Sequence, residues 1–543
     1  MSDTEVHAPC PLYESLEWKL SSHYWREAGL LPFLENSVPY VVNNSGRLSE
    51  NAAVLLFENL EEHPPKGGTV VAVELGAGSG LFAKLFLDAF RDICRDQNRD
   101  HYDRLTYVVS DRSPSTAEHW RQRNMFEGHE RVQIVRIDAL DPMTACLADG
   151  STQKIESPRA VFCNYVLDVL PATIWRKNGS KIEEMLVGTH LVPGSLKLEE
   201  VTHLTLDEIR ARACGDNDAS EFLPLLPMLE PQVRFGPPRN VPRWGSMAEA
   251  LVRTLKDGER VAINFGAFDC LNQCLSHLEP GGFVLVNDYG MVNLEELRAT
   301  IPQRFGSTVA VGLNFPLLER CFLDHGFRVQ TPPGDGDRGV HTRLVSRDDL
   351  PRTGHVLTVR FAAEIERELD APLVAAREHA SAGRTSEALD AYRAVLERTP
   401  RDWNLLGEIA EFIGLIVRDF QSGIQVARRA IELNPWTSAW LWNVLGDCLY
   451  YLERYPDAHQ AFLKAESIDP CDVRTSLNLG HSYACIGQHG SALLAIARGL
   501  IHDKGAYRLR LLQQQEQLLG VLAGRRSAAQ DRLTRRLERL GAA

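Results

Sequence analysis

Glu74 closes a short apolar, β-branched run (Val70, Val71, Val73) and is followed by glycines at alternate positions, Gly76, Gly78 and Gly80. Glycine tolerates positive φ and lets a ligand lie against bare backbone. Leu81, Phe82, Leu85, Phe86, Ala89 and Phe90 then recur at helical spacing, so the loop opens a helix whose first N–H groups are free. Later apolar runs end in Asp111, Asp138 and Asn164, with Asp168 one helical turn beyond. A carboxylate at Asp111 can accept hydrogen bonds from both hydroxyls of a ribose, and Asp138 can accept one from an adenine amino group. With Ala77, Arg112 and Ala139 beside them, these residues suit a nucleoside-containing ligand. Asn43 and Ser45, in a polar turn ahead of the first strand, are candidates for the ligand's far end.

The elements that must position these residues alternate. Val70–Glu74, Leu105–Asp111, Arg131–Leu140 and Ala160–Asn164 read as strands, the first of them buried on both faces as in a parallel sheet. The segment up to about His63 reads as helical, with Leu16, Leu20, Tyr24 and Trp25 on a core face. From about Arg176 the alternation lapses, and the Pro-rich stretch Phe222–Trp244 suits an ordered lid or substrate loop. Strands resume at Gly258–Gly266 and Gly281–Gly290, enough to complete a seven-stranded sheet.

A dinucleotide fingerprint would need G-x-G-x-x-G. Here the pattern is Glu-Leu-Gly-x-Gly-x-Gly, which resembles motif I of class I S-adenosylmethionine (SAM) methyltransferases. Four stretches, ELGAGSG, SDRSP (Ser110–Pro114), NYVLDVLP (Asn164–Pro171) and NDYG (Asn287–Gly290), are similar in order and spacing to the MidA family of these enzymes. That family includes a mitochondrial complex I assembly factor that methylates an arginine on a partner subunit. The resemblance covers about residues 35 to 345 and implies a Rossmann-like fold, SAM as cofactor and no metal. The family's third stretch is Asn-Glu-x-x-Asp-Ala-Leu-Pro, and this chain has Tyr165 where the glutamate stands. The substitution removes a natural partner of a guanidinium.

Methyl transfer from a sulfonium needs positioning more than acid–base machinery. The candidates beside the methyl are Asn164, Tyr165, Asp168, Asp288 and Tyr289, of which Asp168 or Asp288 could orient a nitrogen nucleophile or take its proton.

Past the sheet the chain turns helical. Pro400, Pro435 and Pro470 recur at tetratricopeptide (TPR) spacing, and Trp442, Leu445, Gly446, Ala458, Phe462 and Ala465 fill one repeat. Such an array offers a groove to a protein or peptide partner, with Trp440, Asn443, Asp447, Arg474, Asn478 and His481 at positions expected to face it. The expected organisation is a helical segment over 1–66, a methyltransferase domain over 67–350 with an insertion about 176–258, and a helical linker over 351–372. A TPR array of about four repeats over 373–506 and closing helices over 507–543 follow. A net charge of −13 argues against nucleic-acid binding as the main activity. The eleven cysteines show no framework, the start lacks a signal-type apolar core, and no run approaches membrane-span length, so a cytoplasmic protein is expected. The function expected is methylation of a protein or peptide substrate that the array recruits. The alternatives are a SAM-binding scaffold with little catalysis and a small-molecule methyltransferase.

Overall fold

The structure is a computed structural model and describes residues 5–34, 46–192, 198–213, 219–239, 244–298, 300–305 and 308–541. The chain divides into two compact units, Met1–Glu368 and Leu369–Ala543.

In chain order the strands of the first unit are β1 (Glu5–Pro11), β2 (Val70–Leu75), β3 (Leu105–Asp111), β4 (Val132–Arg136), β5 (Thr144–Cys146), β6 (Thr152–Lys154), β7 (Ala160–Asn164), β8 (Thr173–Asn178) and β9 (Lys181–Leu191). There follow β10 (Leu229–Gly236), β11 (Arg260–Ile263), β12 (Phe283–Met291), β13 (Gln303–Phe305), β14 (Thr308–Ala310), β15 (Leu313–Asn314), β16 (Arg328–Gln330) and β17 (Val340–Ser346). The main sheet runs β16-β17-β12-β7-β2-β3-β4, extended by β5 and β6, with β15 pairing β12. From β12 to β4 the pairs are parallel, while β17 is antiparallel to β12 and to β16. Those seven strands form the expected Rossmann-like sheet. Chain order reverses between β2 and β7, which makes a crevice at their carboxyl ends, the usual ligand position in such sheets.

β2, β7 and β12 are almost wholly buried apolar runs because helices cover both faces. Helix Leu81–Asp96 covers one face with Phe82, Phe86 and Phe90, whose rings stack in sequence. Helix Phe265–His277 belongs to the large core that also holds Val73, Val161 and Val284.

Three expectations need correction. The N-terminal segment is not all helix: β1 pairs antiparallel with β9, with Glu5 opposite His190. A pairing partner so far along the chain leaves no trace in local periodicity. β11 does not join the main sheet but pairs with β8, in a second, antiparallel sheet ordered β1-β9-β8-β11 with β10 against β9. The expected lid is therefore partly sheet, since Leu229 to Gly236 pair with Leu191 to Glu184. The linker over 351–372 begins as helix Pro351–Arg360, docked on helix Arg47–Glu62: Thr353 Oγ1 donates to Glu62 Oε2 at 2.7 Å, and Asn59 Nδ2 donates to Thr353 Oγ1 at 3.2 Å.

The second unit is a succession of helical hairpins: Thr385–Arg398, Trp403–Glu411, Phe420–Leu433, Ala439–Tyr451, Tyr455–Ile468, Val473–Cys485 and His489–His502, preceded by Ala363–Ser381. Short turns make sequential helices antiparallel neighbours, as in a TPR solenoid. Gly446 shows why the repeat needs glycine, for a Cβ there would lie 2.3 Å from the Phe462 ring. One helix, Arg508–Gly541, replaces the expected closing helices. Asn443 is buried rather than groove-facing, donating to Thr475 Oγ1 at 2.7 Å and Asp472 Oδ2 at 3.1 Å. Arg474 is held by Glu411 at 2.7 Å and Asp447 at 2.8 Å.

Candidate active site

At the carboxyl ends of β2, β3 and β7 lies a cavity of about 220 Å³. Glu74, Gly76, Ala77, Gly78, Asp111, Arg112, Asp138, Ala139, Asn164, Tyr165, Asp168 and Tyr289 all line it. The fold thus gathers most of the residues singled out in the sequence into one place.

The glycine loop is held from below. Gly76, Gly78 and Gly80 all have positive φ, at 64°, 51° and 77°. Ala77 N–H donates to Ser110 O at 2.8 Å, and the Trp120 indole donates to Gly78 O at 3.2 Å. A Cβ on Gly78 would stand 2.6 Å from the Phe33 ring, so the loop has room for a ligand only because it is bare. Gly80 is not a lining residue. It caps helix Leu81–Asp96 and packs on Trp120 and Met125.

Asp111 ends β3 and accepts from Gly78 N–H (3.0 Å) and Ser113 N–H (2.8 Å). Burial raises its carboxyl pKa, and these main-chain bonds oppose the rise. Glu74 is buried and accepts from the Tyr107 hydroxyl at 2.9 Å. Burial pushes it up to about 8, so it is a protonated acid at neutral pH. Arg112 Nε approaches Asp138 Oδ2 at 3.3 Å, while its Nη1 donates to Ser22 Oγ at 2.7 Å.

Tyr165 sits in left-handed backbone, φ 54°, which is costly for a non-glycine residue. The turn is pinned by Tyr165 N–H to Asn287 O (2.9 Å) and Leu167 N–H to Asp288 Oδ2 (2.8 Å). Its ring meets Tyr289 with centroids 4.9 Å apart. Burial and the neighbouring phenol and carboxyls hold the Tyr165 hydroxyl well above its usual pKa. Asp168 is 6% exposed and faces the cavity. Burial pushes its carboxyl up to about 7. Asp288, predicted beside the methyl, is wholly buried behind the wall and does not line it. Its second oxygen accepts from Tyr289 N–H at 2.8 Å, so Asp288 positions the Tyr165–Tyr289 pair rather than touching a ligand.

Trp18, Ser22, Trp25 and Phe33 also line the cavity, and sequence reasoning assigned Trp25 to the core and missed the others. The signal was present as tryptophans seven apart on helix Leu16–Glu27, but the same spacing describes an ordinary core face. Asn43 and Ser45 lie outside the described residues.

A switch-point cavity, a bare glycine loop and an acid ending the second sheet strand define a class I, nucleoside-binding transferase site. Residues 53–328, just over half the chain, match the family model described as "Putative S-adenosyl-L-methionine-dependent methyltransferase", and the chain belongs to this family. A superfamily member from Burkholderia thailandensis bound to S-adenosyl-homocysteine is 14% identical, with 53% of this chain and 62% of that one covered and a TM-score of 0.34. A thermophilic TPR protein of Thermus thermophilus is 20% identical over 31% of this chain and 92% of that one, at TM-score 0.25. The MamA protein is 17% identical over 28% and 90%, at TM-score 0.24. No curated protein matches the chain.

SAM is the family's cofactor, and the residues present fit it. Two buried polar atoms without partners, Asn164 Nδ2 and Trp25 Nε1, belong to side chains that line the cavity, as expected where a ligand completes the hydrogen bonding.

Proposed function

We propose that this SAM-dependent methyltransferase methylates a nitrogen atom of a protein or peptide that its TPR array recruits. Gly76, Gly78 and Asp111 would hold the nucleoside end, with Asp138 and the aromatic roof of Trp18, Trp25 and Phe33 around it. When bound, SAM would supply an activated methyl on a sulfonium, with a neutral thioether as the leaving group. Asp168 takes a proton from the acceptor ammonium and so frees the lone pair for the methyl, while the two tyrosine rings exclude water and face the positive charge that forms on nitrogen as the new bond is made.

The observation that carries this reading is the Asp168 carboxyl, poised near pH 7 at a cavity wall whose neighbouring phenols stay protonated. A base of that strength suits an amine. The protein acceptor is supported by the presence, in the same chain, of an array of the kind that binds peptides. The test is incubation with labelled SAM and lysate of the source cells, followed by mass spectrometry of labelled products. Label on a nitrogen of one protein is expected, with KM raised and kcat unchanged when residues 369–543 are removed. Label confined to small molecules, or an unchanged KM, overturns it.

A further inference from the structure

Asn287 stands opposite Asn164 where β12 pairs with β7, and opposite Thr342 where β12 pairs with β17. Residues opposite one another across a sheet share a face, so the three side chains form one row. Its last member, Asn164, lines the cofactor cavity. The row is joined by hydrogen bonds. Thr342 Oγ1 donates to Asn287 Oδ1 at 2.8 Å, and Asn287 Nδ2 donates to Asn164 Oδ1 at 2.9 Å.

This row is out of keeping with its strands. Asn287 follows Phe283, Val284, Leu285 and Val286, all fully buried, and is itself 2% exposed, as is Thr342. Polar side chains in such positions cost stability unless they are paired. The pairing here has a direction. Asn287 Oδ1 is taken by Thr342, so its NH2 group faces Asn164 and takes that residue's oxygen. Asn164 Nδ2 is left over, buried and without a partner, on a side chain of the cavity wall. Thr342 is fixed in turn. Its main-chain N–H donates to Asp335 Oδ1 at 3.0 Å, and Asp335 Oδ2 accepts from Arg343 Nη1 at 2.6 Å.

We propose that Thr342 and Asn287 are positioning residues, a ladder across three strands that fixes Asn164 as hydrogen-bond donor to the carboxylate of the cofactor's amino-acid tail. This rests on the placement of the nucleoside at Asp111 and Asp138 given above, and not on the nature of the acceptor. The strands run in the order β7-β2-β3-β4. A nucleoside held at the ends of β3 and β4 leaves the cofactor's other end to lie over β2 and β7, where Asn164 stands. That end carries a carboxylate. Among the described lining residues Arg112 is the one cationic side chain, and Asp138 and Ser22 already hold it. The carboxylate therefore needs neutral donors, and an oriented amide supplies one. An acceptor ammonium has no lone pair to receive that N–H, so the amide does not serve it.

The test uses the full-length protein in titration calorimetry with two probes. They are S-adenosyl-homocysteine and 5′-methylthioadenosine, which keeps the nucleoside and lacks the amino-acid tail. Wild type should bind the first about tenfold more tightly than the second, as for one hydrogen bond to a charged group. Asn164→Ala should remove most of that margin. Thr342→Val, which lets the Asn287 amide turn over, should remove part of it, and Thr342→Ser, which keeps the hydroxyl, should remove none. Affinity for 5′-methylthioadenosine should stay unchanged in all three, which a general loss of structure would not allow. An unchanged margin in Thr342→Val, an equal loss for both probes, or a Thr342→Ser variant that behaves like Thr342→Val overturns the proposal. If Thr342→Val does not fold, Asn287→Leu, which also releases Asn164, carries the same decision. Probes that bind wild type alike overturn the ladder and leave the nucleoside site standing, whereas a wild type that binds neither overturns both.

Discussion

The amide of Gly78 donates to Asp111 Oδ2 at 3.0 Å, so the glycine loop and the acid at the end of β3 are tied together by the protein itself. Asp111 thus shapes the loop, and on the reading proposed above it also presents an acceptor to a ribose. Asp111→Ala should weaken S-adenosyl-homocysteine binding roughly tenfold to a hundredfold, as for a lost charged hydrogen bond of about 1.5–3 kcal/mol. Asp111→Asn, which keeps one acceptor oxygen, should lose less. Calorimetry measures both, with NAD as the ligand that should not bind at all.

On the mechanism proposed above, Asp168 gives turnover a pH dependence. Its carboxyl is pushed up to about 7, so the proton-accepting form grows as pH rises through that value. Burial first, and the neighbouring charge of Asp168 after it, raise the Asp288 carboxyl, so the inflection belongs to the pair. The expected kcat profile climbs through about pH 7 and levels above it. Asp168→Asn should flatten the profile and cut kcat by roughly a hundredfold or more, leaving S-adenosyl-homocysteine affinity intact. A mutant that keeps the wild-type inflection would assign the base elsewhere.

Glu74 affects stability instead. Folded, it keeps its proton up to about pH 8, whereas the ordinary glutamate value is 4.5. The folded state therefore binds the extra proton between those values, and stability from this group is full below about 4.5 and lost as pH rises through about 8. Glu74→Gln cannot titrate and should flatten that slope. Denaturant melts at pH 5, 7 and 9 should show wild type losing ground to the variant as pH rises.

The Arg112–Asp138 pair is about two-fifths exposed on both sides, so its contribution to stability is small, about 0.2–1 kcal/mol. Arg112→Ala also cuts the bond to Ser22, on the helix that carries Trp18 and Trp25. The expected result is a melting temperature little changed but faster S-adenosyl-homocysteine release, measured by stopped-flow fluorescence. Salt should speed release in the wild type more than in the variant.

Truncation tests the docking of helix Pro351–Arg360. A fragment ending at residue 368 should fold and bind S-adenosyl-homocysteine. One ending at 350 uncovers helix Arg47–Glu62 and removes the bonds of Thr353 to Asn59 and Glu62, and should lose several kcal/mol, chiefly from exposed apolar surface. Equal melting temperatures for the two fragments would show that the docked helix contributes nothing.

Much of the site was legible because its parts are local. Glu74 through Phe90 carries strand, loop and helix in one stretch, and Asp111, Asp138 and Asn164 each end a strand that announces itself by its apolar run. What stayed hidden depends on contacts between distant segments. The tryptophans of helix Leu16–Glu27 look like core residues until β14 and the glycine loop are set opposite them. β11 and β1 have ordinary strand sequences, and nothing in them says which sheet they join. Asp288 lies in a motif with Tyr289, yet the pleat sends neighbouring side chains to opposite faces, so only the tyrosine reaches the cavity. Asn443 occupies a groove position by helical phase, but packing between repeats buries it.

The cofactor cavity draws its wall from residues as far apart as Trp18 and Ala310. During synthesis the aromatic helix emerges first and must wait, unpartnered, while nearly three hundred further residues are made. β17, which completes the sheet, and helix Pro351–Arg360 still precede the whole helical array. Domains generally fold in the order they leave the ribosome. A nascent chain stalled within the array would therefore already be a cofactor-binding species, and the ligand could act as a folding aid for an enzyme whose helical array does not yet exist.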